Sequence, residues 1–232
     1  MDFEARLEHF YSAVVRHGSI CVDVGAHEGR HAIPLARLVG PTGKIFAFEP
    51  LPKQNKILHG LVEEEGLAGT VSIYPYALST TEGETTFVVA EDAPAYSGLL
   101  ERVYDSPTRL SRIDVQVRRL DSVLRDTITA LDYIKIDTEG AEWLVIQGAS
   151  GLIAAFRPTI TFEFGLSSYK NYEVDPLVVN RYFLGQDYIV FDILGKELDA
   201  ESFASSSIRQ EVWDYVAIPA ERRDTAEALR TA

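Results

Sequence analysis

The chain contains 232 residues, 46% of them hydrophobic and 25% charged, an ordinary globular composition with enough apolar residues for a sizeable core. Its 35 acidic and 22 basic residues give a net charge of −13, which argues against a nucleic-acid partner and an anionic membrane partner. The lone cysteine, Cys21, excludes an intramolecular disulfide and favours a cytoplasmic location. Residues 1–18 contain early acids and no long apolar run, so neither a signal peptide nor a membrane anchor is expected.

The first part of the chain predicts a helix followed by a strand–helix–strand unit. The predicted elements are a helix at 3–16, a strand at 20–24, a helix at 28–39 and a strand at 44–48. Pro34 lacks an N–H and crowds the preceding turn, so the second helix should be kinked or begin after Glu28. Glu49 ends the second strand, 24 residues after Gly25 in the turn that follows the first strand.

This unit is suited to a nucleoside-containing cofactor. The turn reads Asp23-x-Gly25-x-x-x-Gly29, so His27 stands where a G-x-G-x-x-G motif has its middle glycine. The missing glycine weakens the case for a pyrophosphate, whereas S-adenosylmethionine has no phosphate to bind. Asp23 can lie near its ammonium group, and Glu49 can bind both ribose hydroxyls. The alternative is a parallel-sheet turn that uses glycines for steric reasons alone.

The rest of the chain continues the alternation of strands and helices. The further predicted elements are a helix at 53–65, strands at 71–74, 85–90 and 113–119, a helix at 120–131, a strand at 133–137, a helix from 138 through 152, a strand at 158–163, a helix at 174–184, strands at 188–191 and 211–218, and a polar tail from 219 that could form a loose helix. This order predicts an α/β class with a mostly parallel sheet. Only a loop with one helical turn is expected at 194–210, so the last two strands should pair as an antiparallel hairpin.

An insertion interrupts the alternation at 84–119. Its two strands alternate apolar and polar residues, which is typical of half-exposed antiparallel strands, and the long loop 91–112 joins them. Loops of this length in compact domains often act as lids over a site. Tyr96, Ser97 and Leu99 are its candidate substrate contacts. We predict one domain, 1–232, with an N-terminal helix (1–18), this inserted hairpin and lid (84–119) and a tail (219–232).

Several acids lie where ligands bind such sheets, beyond the carboxyl ends of the strands. They are Asp23, Glu49, Asp137 and Glu163, and Glu139 follows in the next turn. Acids at a helix start are also stabilised by the helix dipole, by ~0.3–1 kcal/mol each, which is the structural alternative for Asp137, Glu139 and Glu142. Glu163 could be a base, a hydrogen-bond acceptor for substrate or a member of an ion pair. Asp137 and Glu163 are conceivable Mg²⁺ ligands, but the sequence supplies no third ligand, so we assign no metal site.

With these residues in place, the chain resembles the FkbM-type family of S-adenosylmethionine-dependent methyltransferases. The matching stretches are VDVGAHEGRHAIPLA (22–36), KIFAFEPLP (44–52), YPYALS (74–79), SGLL (97–100), YIKIDTEGAEWLVIQGA (133–149) and RPTITFEF (157–164). The resemblance implies a seven-stranded Rossmann-like methyltransferase fold that transfers a methyl group, commonly to an oxygen of a natural product or sugar. The family usually has asparagine where this chain has His27, so the role of that residue does not carry over.

The site predictions lie within these matching stretches. The cofactor-binding candidates are Asp23, Gly25, Ala26, His27, Gly29, Glu49, Pro50, Leu51, Ala77, Leu78 and Asp137. The catalytic candidates are Asp137, Glu139 and Glu163. The expected partner is a small-molecule acceptor. Three alternatives stay open: an N-methyltransferase, an NAD(P)-dependent oxidoreductase and a non-catalytic module that binds the cofactor.

Overall fold

The computed structural model describes residues 2–230. Its strands are β1 (Ile20–Val24), β2 (Lys44–Phe48), β3 (Val71–Tyr74), β4 (Tyr76–Leu78), β5 (Gly83–Ala90), β6 (Leu110–Arg118), β7 (Tyr133–Ile136), β8 (Thr159–Glu163), β9 (Tyr188–Asp192), β10 (Glu197–Leu198) and β11 (Asp214–Pro219). Its α-helices are α1 (Phe3–Val14), α2 (Ala32–Val39), α3 (Pro52–Glu64), α4 (Leu120–Leu124), α5 (Glu142–Gly148), α6 (Ser150–Phe156), α7 (Leu166–Tyr169), α8 (Pro176–Gly185) and α9 (Ala200–Arg209). Short 3-10 helices lie at Pro94–Tyr96, Lys170–Tyr172 and Ala220–Leu229.

The main sheet has the order β10-β9-β11-β8-β7-β1-β2-β3. Five neighbouring strands of this sheet, β8, β7, β1, β2 and β3, are parallel. Strands β11, β9 and β10 pair antiparallel at the other edge. This arrangement confirms the predicted Rossmann-like sheet and the antiparallel pairing of the last two predicted strands. The sheet has eight strands in the described residues, rather than seven, because the two-residue β10 pairs with β9.

The predicted insertion forms a small second sheet with the order β4-β6-β5. β5 and β6 make the expected antiparallel hairpin, and β4 adds a parallel strand to β6. Five buried residues form the core of this sheet: Leu51, Ala77, Phe87, Val115 and Val117. Leu51 belongs to the turn before α3, and this core therefore joins the insertion to the carboxyl edge of the main sheet.

Three helices differ from the prediction in their limits. α2 begins at Ala32, so Pro34 lies in its first turn, where the missing N–H breaks no helical hydrogen bond. α4 ends at Leu124, since the β-branched residues Thr127 and Ile128 that follow are poor helix formers. The helix predicted from 138 through 152 begins only at Glu142 and is divided into α5 and α6 at residue 149.

One prediction near the carboxyl terminus is wrong in a more important way. Residues 194–210 contain the ten-residue helix α9, whose N-cap Asp199 accepts a hydrogen bond from the Ser202 N–H at 2.8 Å. Apart from Phe203, its buried face carries only alanine and serines, which hid the helical period. The tail, for which a loose helix is expected, forms a 3-10 helix with Leu229 buried in the main core. Residues 231–232 of the predicted tail lie outside the described part.

No helix within residues 2–230 combines the length and hydropathy that crossing a membrane requires.

The cap of α9 gives a test of this helix. Replacing Asp199 with Ala removes the side-chain acceptor, and we expect a loss of ~1 kcal/mol in the free energy of unfolding, measured by urea denaturation. Glu201→Ala, in the same first turn, is the control and should change the free energy by less than ~0.5 kcal/mol. Equal effects of the two substitutions would contradict the assigned cap.

Candidate active site

The turn after β1 approaches the end of β7 very closely. Gly25 has a φ of +79°, and a Cβ atom at this position would lie 1.7 Å from the Asp137 carbonyl oxygen. The N–H groups of Gly25 and Ala26 both donate to the Phe48 carbonyl at 3.0 Å. These contacts tie the carboxyl ends of β1, β2 and β7 together, and no residue with a side chain fits in place of Gly25.

Glu49 stands at the end of β2 and is only 4% exposed. One carboxylate oxygen accepts from the His27 N–H at 2.8 Å, and the other accepts from the Leu51 N–H at 2.7 Å. Burial raises the pKa of Glu49 to about 7, although both backbone hydrogen bonds oppose the shift. Each oxygen keeps a lone pair with which it could accept a hydrogen bond from a ligand hydroxyl.

A pocket lies beyond Glu49, between the main sheet and the insertion. Its walls are apolar at Leu51, Leu78, Phe87 and Leu99. His27 lines the same pocket with a φ of 47°, and its buried Nε2 atom finds no hydrogen-bond partner among residues 2–230. Burial lowers the pKa of this imidazole, which favours its neutral form. A slot with apolar walls, the Glu49 carboxylate and one unpaired ring nitrogen suits the chemistry of a nucleoside.

Most of the predicted cofactor residues meet at this pocket. Those that line it are Gly25, His27, Glu49, Pro50, Leu51, Ala77, Leu78 and Asp137. The side chain of Asp23 is fully buried behind the wall, whereas Ala26 and Gly29 shape the turn. Gly29 has a φ of +94° and packs against Leu58, so its part is steric. Direct contact of Asp23, Ala26 or Gly29 with a cofactor stays a prediction.

The three predicted catalytic acids converge at the ends of β7 and β8. Asp137, Glu139 and Glu163 each offer one carboxylate oxygen within 4.8 Å of the others. Glu139 therefore lies beside Asp137 and Glu163 as a third acid, which the sequence did not identify as a possible third metal ligand. Three oxygens at this separation could bind a divalent cation. However, the Arg102 guanidinium pairs with Glu139, and Ser168 Oγ donates to the same carboxylate at 3.4 Å.

Crowding of acids alters their proton affinity. Burial, followed by the charge of Asp137, raises the pKa of Glu139 to about 8 against the opposing Arg102 charge. The same two causes raise the pKa of Glu163. Asp214, opposite Glu163 in β11, has its pKa raised to about 7, first by burial and then by Asp137. A carboxyl whose pKa lies near neutrality, as for Glu139 and Asp214, can accept a proton from a substrate.

An acidic groove of about 860 Å³ adjoins the pocket beside Glu49. It shares Asp137 and Glu139 with that pocket and adds Glu163 and Asp214. Its sides are provided by the start of α1, by the loop of the insertion and by Trp213. The pocket and the groove therefore meet at the end of β7.

The loop of the insertion covers this junction. Arg102 reaches from the loop to Glu139, and its guanidinium lies 4.5 Å from the centre of the Tyr96 ring. The backbone N–H of Leu100 donates to the Tyr172 hydroxyl at 2.9 Å. Of the loop residues named from the sequence, Ser97 and Leu99 line the pocket beside Glu49 and Tyr96 lines the groove.

Three residues at the site were missed by the sequence analysis. Lys135, Arg102 and Glu142 were not among the candidates, although each is at least partly buried beside a candidate acid. Glu142 Oε1 accepts from the N–H groups of Thr138 and Gly140, the two residues on either side of Glu139. A charged residue inside the apolar run YIKI was the available signal for Lys135, because buried charge requires a partner.

Comparisons with known structures place this architecture in a class. The O-methyltransferase TomG from Streptomyces achromogenes, solved in complex with S-adenosylmethionine, has a TM-score of 0.54 at 13% identity over 92% of this chain and 78% of its own. A candidate rRNA methylase from Clostridium thermocellum also has a TM-score of 0.54, at 14% identity over 94% of both chains. The fold is that of the Rossmann-like methyltransferases.

The family follows from the sequence match. The methyltransferase FkbM domain model matches residues 23–190, and the chain belongs to this family. A methyltransferase FkbM from Methylobacillus flagellatus KT is 18% identical over 67% of this chain, with a TM-score of 0.46. The match spans only 37% of that protein's length. A search of curated proteins returns no match.

The burial of Glu142 predicts how stability depends on pH. Burial raises its pKa from 4.5 to about 7, so the folded protein holds a proton that the unfolded chain has released over this window. The contribution of this proton to the free energy of unfolding is fully present below pH 4.5 and is lost as the pH rises to about 7. Glu142→Gln should reduce the fall in unfolding free energy by up to about 1.4 kcal/mol per pH unit in this window.

Urea unfolding of both proteins between about pH 5 and pH 8 measures this difference. The amide oxygen of the substituted side chain can still accept from the Thr138 and Gly140 N–H groups, so the turn should keep its shape. Glu211→Gln, which changes an exposed acid, is the control and should follow the wild type. Parallel curves for wild type and Glu142→Gln would show that Glu142 does not take up a proton on folding.

Proposed function

We propose that this protein transfers a methyl group from S-adenosylmethionine to a small acceptor, with an oxygen of a natural-product or sugar-type molecule as the methylated atom. The observation that carries the proposal is the position of Glu49, a buried carboxylate at the end of β2 in the wall of a pocket beside an acidic groove. Family membership supports the same reaction class. We further propose that 1–232 acts as one cytoplasmic domain with 84–119 as its lid.

The pocket residues fit this cofactor. Glu49 would accept hydrogen bonds from the ribose hydroxyls, and Leu78 and Phe87 would pack against the adenine ring. The unpaired Nε2 of His27 could bond to a polar atom of the ligand. Asp137, at the opposite wall, would bind the ammonium group of the methionine moiety. The cofactor supplies an electrophilic methyl group on sulfur, and methyl transfer then depends mainly on positioning the acceptor.

The groove supports a division of labour among the acids. Glu163 lines the groove and not the cofactor pocket within the described residues, so it would accept the proton of an acceptor hydroxyl. Glu139, held by Arg102, lines both spaces and would orient the acceptor. Arg102 already neutralises one acid of the trio, which supports catalysis by proton transfer without Mg²⁺.

The net charge and the acids of the groove support a small-molecule partner rather than a nucleic acid.

Calorimetry with S-adenosylmethionine, S-adenosylhomocysteine and NAD⁺ tests the reaction class. Binding of the first two and not of NAD⁺ is expected. Binding of NAD⁺ alone would favour an oxidoreductase, and binding without any methyl transfer to a panel of hydroxyl and amine compounds would favour a cofactor-binding module.

Glu49 should determine cofactor affinity. Glu49→Ala removes the charged acceptor of two hydroxyl hydrogen bonds, so affinity for S-adenosylhomocysteine should fall by roughly tenfold to a hundredfold in calorimetry. Glu64→Ala changes an exposed acid of α3 and should bind like the wild type. Unchanged affinity in a folded Glu49→Ala protein would place the cofactor elsewhere.

Glu163 should determine turnover. Glu163→Gln preserves shape and removes the proton acceptor, so turnover should fall by ~10²–10⁴-fold. Its affinity for S-adenosylhomocysteine should remain that of the wild type, because Glu163 does not line the cofactor pocket in the described chain. The measurement is transfer of a labelled methyl group to the acceptor found in the compound panel.

Two outcomes would contradict this assignment. Wild-type turnover by Glu163→Gln would exclude Glu163 as the base and direct the search to Glu139. Activity that EDTA abolishes and Mg²⁺ restores would make Asp137, Glu139 and Glu163 metal ligands instead.

A further inference from the structure

A lysine lies in the interior of the sheet beneath the site. Lys135 is the third residue of β7 and is 4% exposed. Its neighbours in register are Asp23 on β1 and Thr161 on β8. The ammonium Nζ lies 3.2 Å from Asp137 Oδ2 and 3.7 Å from Asp23 Oδ1. The Lys135 ammonium therefore lies between Asp23, on the neighbouring strand β1, and Asp137, which follows the end of β7.

The partners of Asp23 make this placement informative. Asp23 is fully buried, and neither of its oxygens has a hydrogen-bond partner among residues 2–230. A buried carboxylate is costly unless it is paired, and the ion pair with Lys135 is the compensation that the described residues provide. Asp23 is not among the residues that line the pocket, whereas its carboxylate lies 3.7 Å from the Lys135 ammonium.

Asp137 is the other end of this chain of charges. Its backbone N–H donates to the Val24 carbonyl at 3.0 Å, and its own carbonyl packs against Gly25. The backbone is thus held by β1 and its turn, whereas Lys135 holds one oxygen of the side chain. The second carboxylate oxygen is left for whatever occupies the pocket or the groove, both of which Asp137 lines.

We propose that Lys135 is a positioning residue: Asp23 holds the ammonium, and the ammonium aims the Asp137 carboxylate at the cofactor. The proposal rests on the proposed function, since it takes Asp137 as the ligand of the cofactor's ammonium group. It also gives Asp23 a role, holding the Lys135 ammonium, that requires no direct contact with the cofactor. Asp23, Lys135 and Asp137 then form one unit that runs from the core to the site.

A double-mutant cycle separates positioning from simple destabilisation. Lys135→Met, Asp137→Asn and the double variant are compared with the wild type by calorimetry with S-adenosylhomocysteine. Each single substitution should weaken binding by about tenfold or more, and the double variant should bind no more weakly than Asp137→Asn alone. Losses that multiply in the double variant would overturn the proposal, as would a Lys135→Met protein that binds like the wild type.

Two further variants control for folding. Thr161 lies on the strand beside Lys135, and Thr161→Val removes its buried hydrogen bond of 2.6 Å with the Tyr133 hydroxyl; it should lower the melting temperature without changing affinity. Lys135→Arg keeps the charge and should recover most of the affinity lost in Lys135→Met. Failure of Lys135→Arg to recover it, or an equal loss of affinity in Thr161→Val, would show that Lys135 only supports the core.

Asp23→Asn/Lys135→Met removes one acid with the cation and serves as the folded alternative where Lys135→Met does not fold. It should show the same weakened binding, and wild-type affinity in this variant would overturn the proposal. The proposed function fails separately: a folded wild-type protein that does not bind S-adenosylhomocysteine contradicts the function itself, whereas a binding wild type with an additive cycle contradicts only the role of Lys135.

Discussion

The close contact between Gly25 and the Asp137 carbonyl holds the turn after β1 against the end of β7. A side chain at residue 25 would collide with this carbonyl at 1.7 Å, so the turn after β1 can lie against the end of β7 only as glycine. The same turn donates two N–H groups to the end of β2. Three parallel strands consequently deliver Gly25, Glu49 and Asp137 to one pocket, as expected at the carboxyl edge of such a sheet.

Concentrating acids at this edge requires compensation, and the structure provides it in three forms. Backbone N–H groups bond to Glu49 and Glu142, a guanidinium pairs with Glu139, and an ammonium lies near Asp137. The backbone of Glu139 has a φ of 56°, a conformation that costs of order 1–3 kcal/mol in a non-glycine residue. The Glu142 hydrogen bonds on both sides of this residue offset that strain and fix its direction.

Under the proposed function, acceptor choice belongs to the elements that close the groove rather than to the sheet. The sides of the groove come from three segments that lie far apart in the sequence: the start of α1, the loop of the insertion and Trp213. The loop is held against the segment that follows β8 by the Val103 N–H, which donates to the Ser167 carbonyl at 2.8 Å, and by Arg102. A shared fold with other methyltransferases therefore carries no information on the acceptor.

The sequence alone determined most of the strands and helices and the acids at the strand ends, because apolar periodicity and turn residues are local properties. It also identified Glu49 and the convergence of Asp137 with Glu163, since parallel strands end at one edge. Only the tertiary structure revealed α9, whose buried face carries serines, and the partners of Lys135, Arg102 and Glu139. Arg102 and Glu139 lie 37 residues apart, and no local pattern records which charges meet when the chain folds.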